Sequence, residues 1–456
     1  MPLTTNSAQS MIPPSRHGLS QLSNRPILSI ISISLLLRFT TTLLLLFSHR
    51  FLPSFAADAT KLSSPLFPSY WEAFVRWDTV YFLEIAKDGY SREQRFAFSP
   101  GLPAIFRFGG ELLRRVRGAE EVSFEDMVLV GIVSTTLATA GAAILLLSLH
   151  LFRSREYSLI TSTLFLLAPA RAVLHAVPYT EPFSALFTFA GMLTFIQHRD
   201  LLSSIMFACG ATFRAQGAVM GLGFFGWRWI LQRPFAANRL SLKRLVQGIV
   251  VTSFLSLISA SPFLVFQAHA YREHCSSLTS LRPWCSSTFG FSYGWIQNLL
   301  DIDADTNVGP FRYWTLLQLP NFLLASPVLL LSFSASYSYY SSQPRFVLAR
   351  TLPFLFSPSS PPPEQQRLFL SPALMPFIHL HTATTLLLLV SSHVQIVLRL
   401  CIVDPVVWWY ATDLVLARAR EGEGDRRRRW GERWIWYTIV WGTISIVLWA
   451  LFLPPA

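Results

Sequence analysis

The residues best placed to do chemistry fall in one stretch, FVRWDTVYFLEIAKDGYSREQRFAFSPGLPAIF, between Phe74 and Phe106. It lies between long apolar segments, yet it carries Arg76, Asp78, Glu84, Asp88 and Glu93. Phe74, Trp77, Tyr81 and Ile85 recur at helical spacing, which predicts a short helix lying on a membrane surface with its apolar side down. Asp78 then sits where water meets lipid. A carboxylate held there can act as a base on a substrate that is part lipid and part sugar. The plainer alternative is an amphipathic anchor whose charges are only solvated.

Further ionisable residues sit at the ends of apolar segments. Glu181 follows Pro178, Tyr179 and Thr180; Arg214 lies in ATFRAQG; Arg312 opens RYW; and Arg399 closes an apolar run that also carries His393. Charges inside or beside a membrane are functional candidates, with mutual pairing for helix packing as the alternative. An acid with several arginines is what a lipid phosphate requires: a guanidinium grips the phosphate as a planar fork and the acid handles a hydroxyl proton. In that scheme Asp78 is the base, and Arg214 or Arg312 meets the departing phosphate. Arg76 is expected to bind substrate beside it, and Trp77, Tyr81 and Trp314 to stack on sugar faces. Glu93 or Glu181 serves as a second acid or as a structural partner. No metal is required, since arginine can neutralise a single phosphodiester.

Other motifs carry less. Asp301, Asp303 and Asp305 spell DIDAD, but Thr306 and Arg312 stand where a calcium loop needs Gly and Glu, which leaves a solvated turn. His379 and His381 fall on different helix faces, against a metal pair. Cys275 and Cys285 are ten residues apart in one loop and could form a bridge in an oxidising compartment or remain free thiols. Cys209 and Cys401 read as packing residues.

The elements that must position these residues are membrane helices. The 456 residues are 52% hydrophobic and 14% charged, with mean hydropathy +0.42, where soluble domains carry about 25% charge. Eleven apolar spans are expected, from 27–48 to 434–452. The chain reads as one all-α polytopic membrane domain over 1–456. It has an N-terminal tail 1–26, large loops 49–126 and 271–312, and a linker 341–367 containing SPSSPPPEQQ. Arg16 and Arg25 favour a cytosolic tail. Connection 227–244 then carries five basic residues and no acid on the cytosolic side, and 418–433 carries seven arginines against four acids. The 271–312 loop, with three arginines against four acids, faces the lumen. The net charge of +12 is therefore mostly a topology signal that suits anionic headgroups, not nucleic acid.

Four blocks in order, RWDTVYFLEIAKDGY, PYTEPFSALFTFAGM, ATFRAQG and RPWC followed by NVGPFRYWTLLQLPNFLLASP, resemble the PIG-V family of endoplasmic-reticulum mannosyltransferases. Two departures are visible. The family usually reads AFFP where this chain has Ala97-Phe98-Ser99-Pro100, and R-S-N-G where it has Arg214-Ala215-Gln216-Gly217. The resemblance implies a C-type glycosyltransferase (GT-C) fold of about 11 transmembrane helices and a luminal surface helix, with an active site on the lumen side. It implies dolichyl-phosphate mannose as donor, with no cofactor besides. The implied acceptor is a glycosylphosphatidylinositol precursor, which receives a second mannose in α-1,6 linkage. Membrane lipids are expected partners, and the resemblance leaves room for a small membrane accessory subunit. Two readings from other classes remain: a polytopic lipid or sugar transporter, whose charges would sit near mid-membrane with a repeat between halves, and a non-catalytic subunit of a transferase complex, which need not keep Asp78.

Overall fold

The computed structural model describes residues 24–53, 55, 69–149, 154–235, 241–275, 283–286, 309–356, 367–417 and 423–453. Among the described residues there is no strand. Among the same residues the helices of eight residues or more are α1 (Pro26–Phe51), α2 (Asp78–Asp88), α3 (Gly101–Arg117), α4 (Phe124–Ser148), α5 (Arg155–Leu166), α6 (Glu181–Ile196), α7 (Asp200–Ala211), α8 (Gln216–Phe225), α9 (Leu242–Cys275), α10 (Leu319–Ser342), α11 (Pro344–Thr351), α12 (Met375–Ser391), α13 (Pro405–Val415) and α14 (Glu423–Ala450). In a bilayer core every backbone group must be satisfied within its own segment, which is why apolar runs of this length fold as helices.

Five helices among the described residues are long and apolar enough to cross a membrane: Pro26–Phe51, Phe124–Ser148, Leu242–Cys275, Leu316–Ser342 and Pro372–Ser391. The expectation of about eleven spans is not reproduced at that level. Glu181–Ile196 and Asp200–Ala211 are apolar but shorter. At 1.5 Å per residue, twelve residues reach only about 18 Å, short of a 30 Å core. The expected spans 201–213 and 217–231 become the paired short helices α7 and α8, broken at Arg214. The run 368–398 ends as a helix at Ser391 and turns through Val394–Ile396 and Val397–Leu400. The expected linker 341–367 contains helix α11, whose Phe346 and Val347 are buried; its residues 357–366, which hold SPSSPPPEQQ, lie outside the described residues, as do Asp301, Asp303 and Asp305.

Capping fixes where several helices start. Ser123 and Asp126 close a capping box on α4, Ser154 caps α5, and Asp404 accepts from the Val406 amide ahead of Pro405 at α13. Helices α6, α7 and α8 then run down, up and down. At one end Arg228 pairs with Asp200, and Trp229 donates to the same carboxylate at 2.8 Å. At the other end Glu181 meets the α7–α8 turn. Gly217 allows that turn: a Cβ there would lie 2.4 Å from the Ala211 nitrogen. The Gly101 amide donates to Thr212 O at 2.8 Å, which ties α3 to the same turn.

The expected surface helix needs correction. Trp77 precedes α2 with φ 52° and ψ −131°, so Phe74 and Trp77 lie outside the helical register of Tyr81 and Ile85. Thr79, Val80, Phe82, Leu83, Ile85 and Ala86 are buried in protein. The helix with an outward apolar stripe is α3, where Phe108, Leu112 and Val116 are exposed at four-residue spacing while Leu102, Phe106 and Gly110 are buried.

Candidate functional site

Asp78 opens α2, where the unsatisfied amides of the first turn favour a carboxylate. The helix is held against the α5–α6 connection by Thr79, whose hydroxyl donates to Pro178 O at 3.4 Å, and by the edge-on contact of Phe82 with Tyr179. Two residues after Tyr179, Glu181 opens α6 and is fully buried. Folding thus brings two helix N-termini, each bearing an acid, to the same end of the molecule.

Arg399 joins them. Its Nε donates to Glu181 Oε1 at 2.6 Å and its Nη2 to Asp78 Oδ2 at 3.5 Å. Its guanidinium also lies 4.9 Å from the Tyr179 ring. Arg214, at the α7–α8 break, places Nη1 3.0 Å from the same Glu181 oxygen, close but without hydrogen-bond alignment. The result is a row: Asp78, Arg399, Glu181, Arg214. Glu181 is consumed between two guanidiniums, as a buried carboxylate must be. Asp78 meets Arg399 at the longer distance and also interacts with the Tyr179 side chain, and its side chain is 35% exposed. It is the acid of the row with room to meet a substrate.

Asp78 and Arg399 line a cleft of about 180 Å³ with Trp77, Tyr179, Gln395, Ser445 and Trp449. Arg214 does not line it; it backs Glu181 from the far side. An exposed carboxylate beside a fixed guanidinium can accept a proton from a hydroxyl while the cation meets a developing negative charge. Aromatic walls suit the apolar faces of a sugar.

The other sequence-selected residues fall elsewhere. Arg76 is buried and turns away from the cleft: its Nη2 lies 3.2 Å from His49 Nδ1 and its guanidinium 4.7 Å from the Phe452 ring. Burial draws its pKa down, opposed by Glu72. Tyr81 stacks on Phe98 with ring centroids 4.7 Å apart. Glu93 accepts from the Trp284 indole and so joins the first large loop to the second. Arg312 is exposed and Trp314 is 52% exposed, its indole donating to Leu389 O at 2.9 Å. Neither reaches the row, because the turn at 309–314 packs beside the end of α12. Cys275 and Cys285 are bridged, with Cα atoms 5.6 Å apart, next to buried Trp284. His379 bonds Tyr340 and Thr351, whereas His381 bonds Asp404 and Ser332 O.

Sequence reasoning left Arg399 out of the site, although it stood out as a charge beside an apolar run. Its partners lie 218 and 321 residues away in the chain, so no local spacing ranks it above Arg312. Tyr179, Gln395 and Trp449 carried no signal beyond their type.

A family model described as mannosyltransferase (PIG-V) matches residues 26–456. The chain is 34% identical over 401 residues to GPI mannosyltransferase 2 of Cryptococcus neoformans, covering 84% of this chain and 88% of that protein. It is 32% identical over 372 residues to GPI alpha-1,6-mannosyltransferase 2 of Mus musculus, covering 75% and 72%. The human protein of that name is 31% identical over 369 residues, covering 74% and 72%. Among solved structures, the Archaeoglobus fulgidus oligosaccharyltransferase matches with TM-score 0.48 at 12% identity over 95% of this chain and 56% of that one, a likeness too distant to carry an argument.

Proposed function

The chain belongs to the PIG-V mannosyltransferase family, and from that premise we propose that it transfers mannose from dolichyl-phosphate mannose to a glycosylphosphatidylinositol precursor, forming an α-1,6 bond. The observation that carries the chemistry is the partly exposed Asp78 carboxylate tethered to Arg399 at the cleft wall. The reaction is an inverting displacement. The acceptor hydroxyl oxygen attacks the anomeric carbon, and Asp78 takes the proton. The bond from that carbon to the phosphate oxygen breaks, and dolichyl phosphate leaves with its electron pair. Arg399 meets that phosphate charge, and Arg214, sharing Glu181, keeps the row positive at its inner end. Arg399 replaces Arg312 in this role, since Arg312 lies outside the row. Trp77 and Tyr179 bound the sugar.

The fold in this reading is of the C-type, with the short helices completing a set of about eleven membrane segments. The cleft faces the lumen of the endoplasmic reticulum, and the apolar stripe of α3 lies on the luminal membrane surface. What supports the orientation is charge: the basic connections near Arg228 and Arg427 lie at the end opposite Asp78. The test is Asp78→Asn in microsomes supplied with labelled dolichyl-phosphate mannose. Transfer should fall at least about 100-fold with the chain still inserted. Activity above about a tenth of wild type would remove Asp78 as the base.

A further inference from the structure

Four non-glycine residues among the described ones have positive φ, and two of them touch. Trp77 has φ 52° and Phe452 has φ 64°, and their rings lie 5.6 Å apart, tilted at 47°. A bulky residue at positive φ persists only where its surroundings over-determine it. ψ of −131° takes Trp77 outside even the left-handed helical region, into backbone that glycine alone tolerates well.

The surroundings are specific. Phe452 is 4% exposed although it follows the end of α14. The Arg76 guanidinium covers its ring at 4.7 Å and is itself fixed by His49 at 3.2 Å, at the end of α1. The chain on either side is pinned as well: the Phe55 amide donates to Leu451 O at 2.9 Å, and the Leu453 amide to Leu448 O at 2.9 Å. Three distant segments, after α1, before α2 and after α14, therefore close on the Trp77 backbone. The next residue is Asp78. The same Trp77 lines the cleft.

We infer that Phe452, backed by Arg76, is a positioning residue: its ring holds Trp77 in the strained turn that aims the Asp78 carboxylate into the cleft. Phe452 touches no substrate; it acts through Trp77. Arg76 thereby has a role other than contact with substrate. The alignment is worth most at the transition state, where a displacement of about 1 Å can cost roughly 100-fold. The inference rests on Asp78 acting as the base.

The experiment uses the full chain in microsomes, with labelled dolichyl-phosphate mannose and the acceptor glycolipid varied separately and rates normalised to inserted chain. Phe452→Leu keeps apolar bulk but lacks the ring face, Phe452→Gly relieves the positive φ but removes the ring, and Phe452→Tyr keeps the ring. The expected result is kcat lowered about tenfold or more in the Leu and Gly variants, KM for both substrates within about threefold of wild type, and kcat retained by the Tyr variant. Wild-type kcat in the Leu or Gly variant would overturn the role of the ring. So would a loss confined to the amount of inserted chain with kcat per molecule unchanged, since that is only structural. Asp78→Asn is measured alongside: inactive Asp78→Asn with fully active Phe452→Leu discards the positioning role and keeps the base, whereas active Asp78→Asn overturns both.

Discussion

At the scale of the residue, the row divides its labour by burial. Glu181 has no access to solvent, so its charge is set against the two guanidiniums that touch it. Removing that charge takes the carboxylate from Arg214 and leaves Arg399 only its longer contact with Asp78, where breaking a buried pair costs about 3–5 kcal/mol. Glu181→Gln should therefore lower the amount of inserted chain, measured by detergent-resistant recovery, before any kinetic effect is read. Arg399→Lys asks a different question. A lysine keeps the charge but cannot reach Glu181 and the phosphate together as a planar fork. Its kcat should fall by about tenfold or more, and Arg312→Lys should stay within about twofold of wild type. The reverse order would return the phosphate to Arg312. Of the row, Asp78, Glu181 and Arg214 were legible in the sequence because a charge in apolar surroundings is costly and so stands out. Arg399 was legible as a charge but not as a partner, since pairing across 321 residues is a property of the folded chain.

At the scale of the element, turns place the site more than helices do. The α7–α8 break holds Arg214 because Gly217 lets the two helices approach backbone to backbone. A Cβ there would meet the Ala211 nitrogen at 2.4 Å and Phe207 O at 2.7 Å, and neither is the end of a flexible side chain. Gly217→Ala should force the turn apart, at a cost of about 1–3 kcal/mol, and move Arg214 off Glu181. Transfer activity should fall with the thermal stability of the solubilised protein. A Gly217→Ala chain with both unchanged would show that the turn can yield. Apolar run length located the five long helices, whereas helical spacing carried the surface helix too far toward the N-terminus. Phe74, Trp77, Tyr81 and Ile85 keep helical spacing across a residue whose φ is positive, and spacing cannot detect a backbone turn. The amphipathic stripe of α3 was there to be read, but Gly109, Gly110 and four basic residues masked it as a loop.

At the scale of the whole molecule, the two ends differ in chemistry. One end gathers Asp78, Arg399, Glu181 and Arg214, with the Cys275–Cys285 bridge and the Glu93–Trp284 contact nearby on the loops. The other gathers Arg228 with Asp200, Arg367 and Arg427 with Asp413, and Gln232 with Arg350. A chain with excess arginine at one end inserts with that end in the cytosol, and a disulfide persists in the lumen but not in the cytosol. Both arguments support the proposed orientation, with the cleft in the lumen. They make a prediction that needs no activity assay. Cysteine introduced at exposed Ser91, in the loop after α2, should resist a membrane-impermeant maleimide in sealed microsomes and react once the membrane is permeabilised. Cysteine at Arg350, beside Gln232, should react in both. The native cysteines leave that readout clear, because Cys275 and Cys285 are bridged and Cys401 is buried, and an otherwise unaltered chain corrects for Cys209. Labelling of Ser91→Cys in sealed microsomes would place the cleft in the cytosol. Luminal chemistry, the lipid-linked donor in its luminal orientation and the charge argument would then all have to be abandoned together.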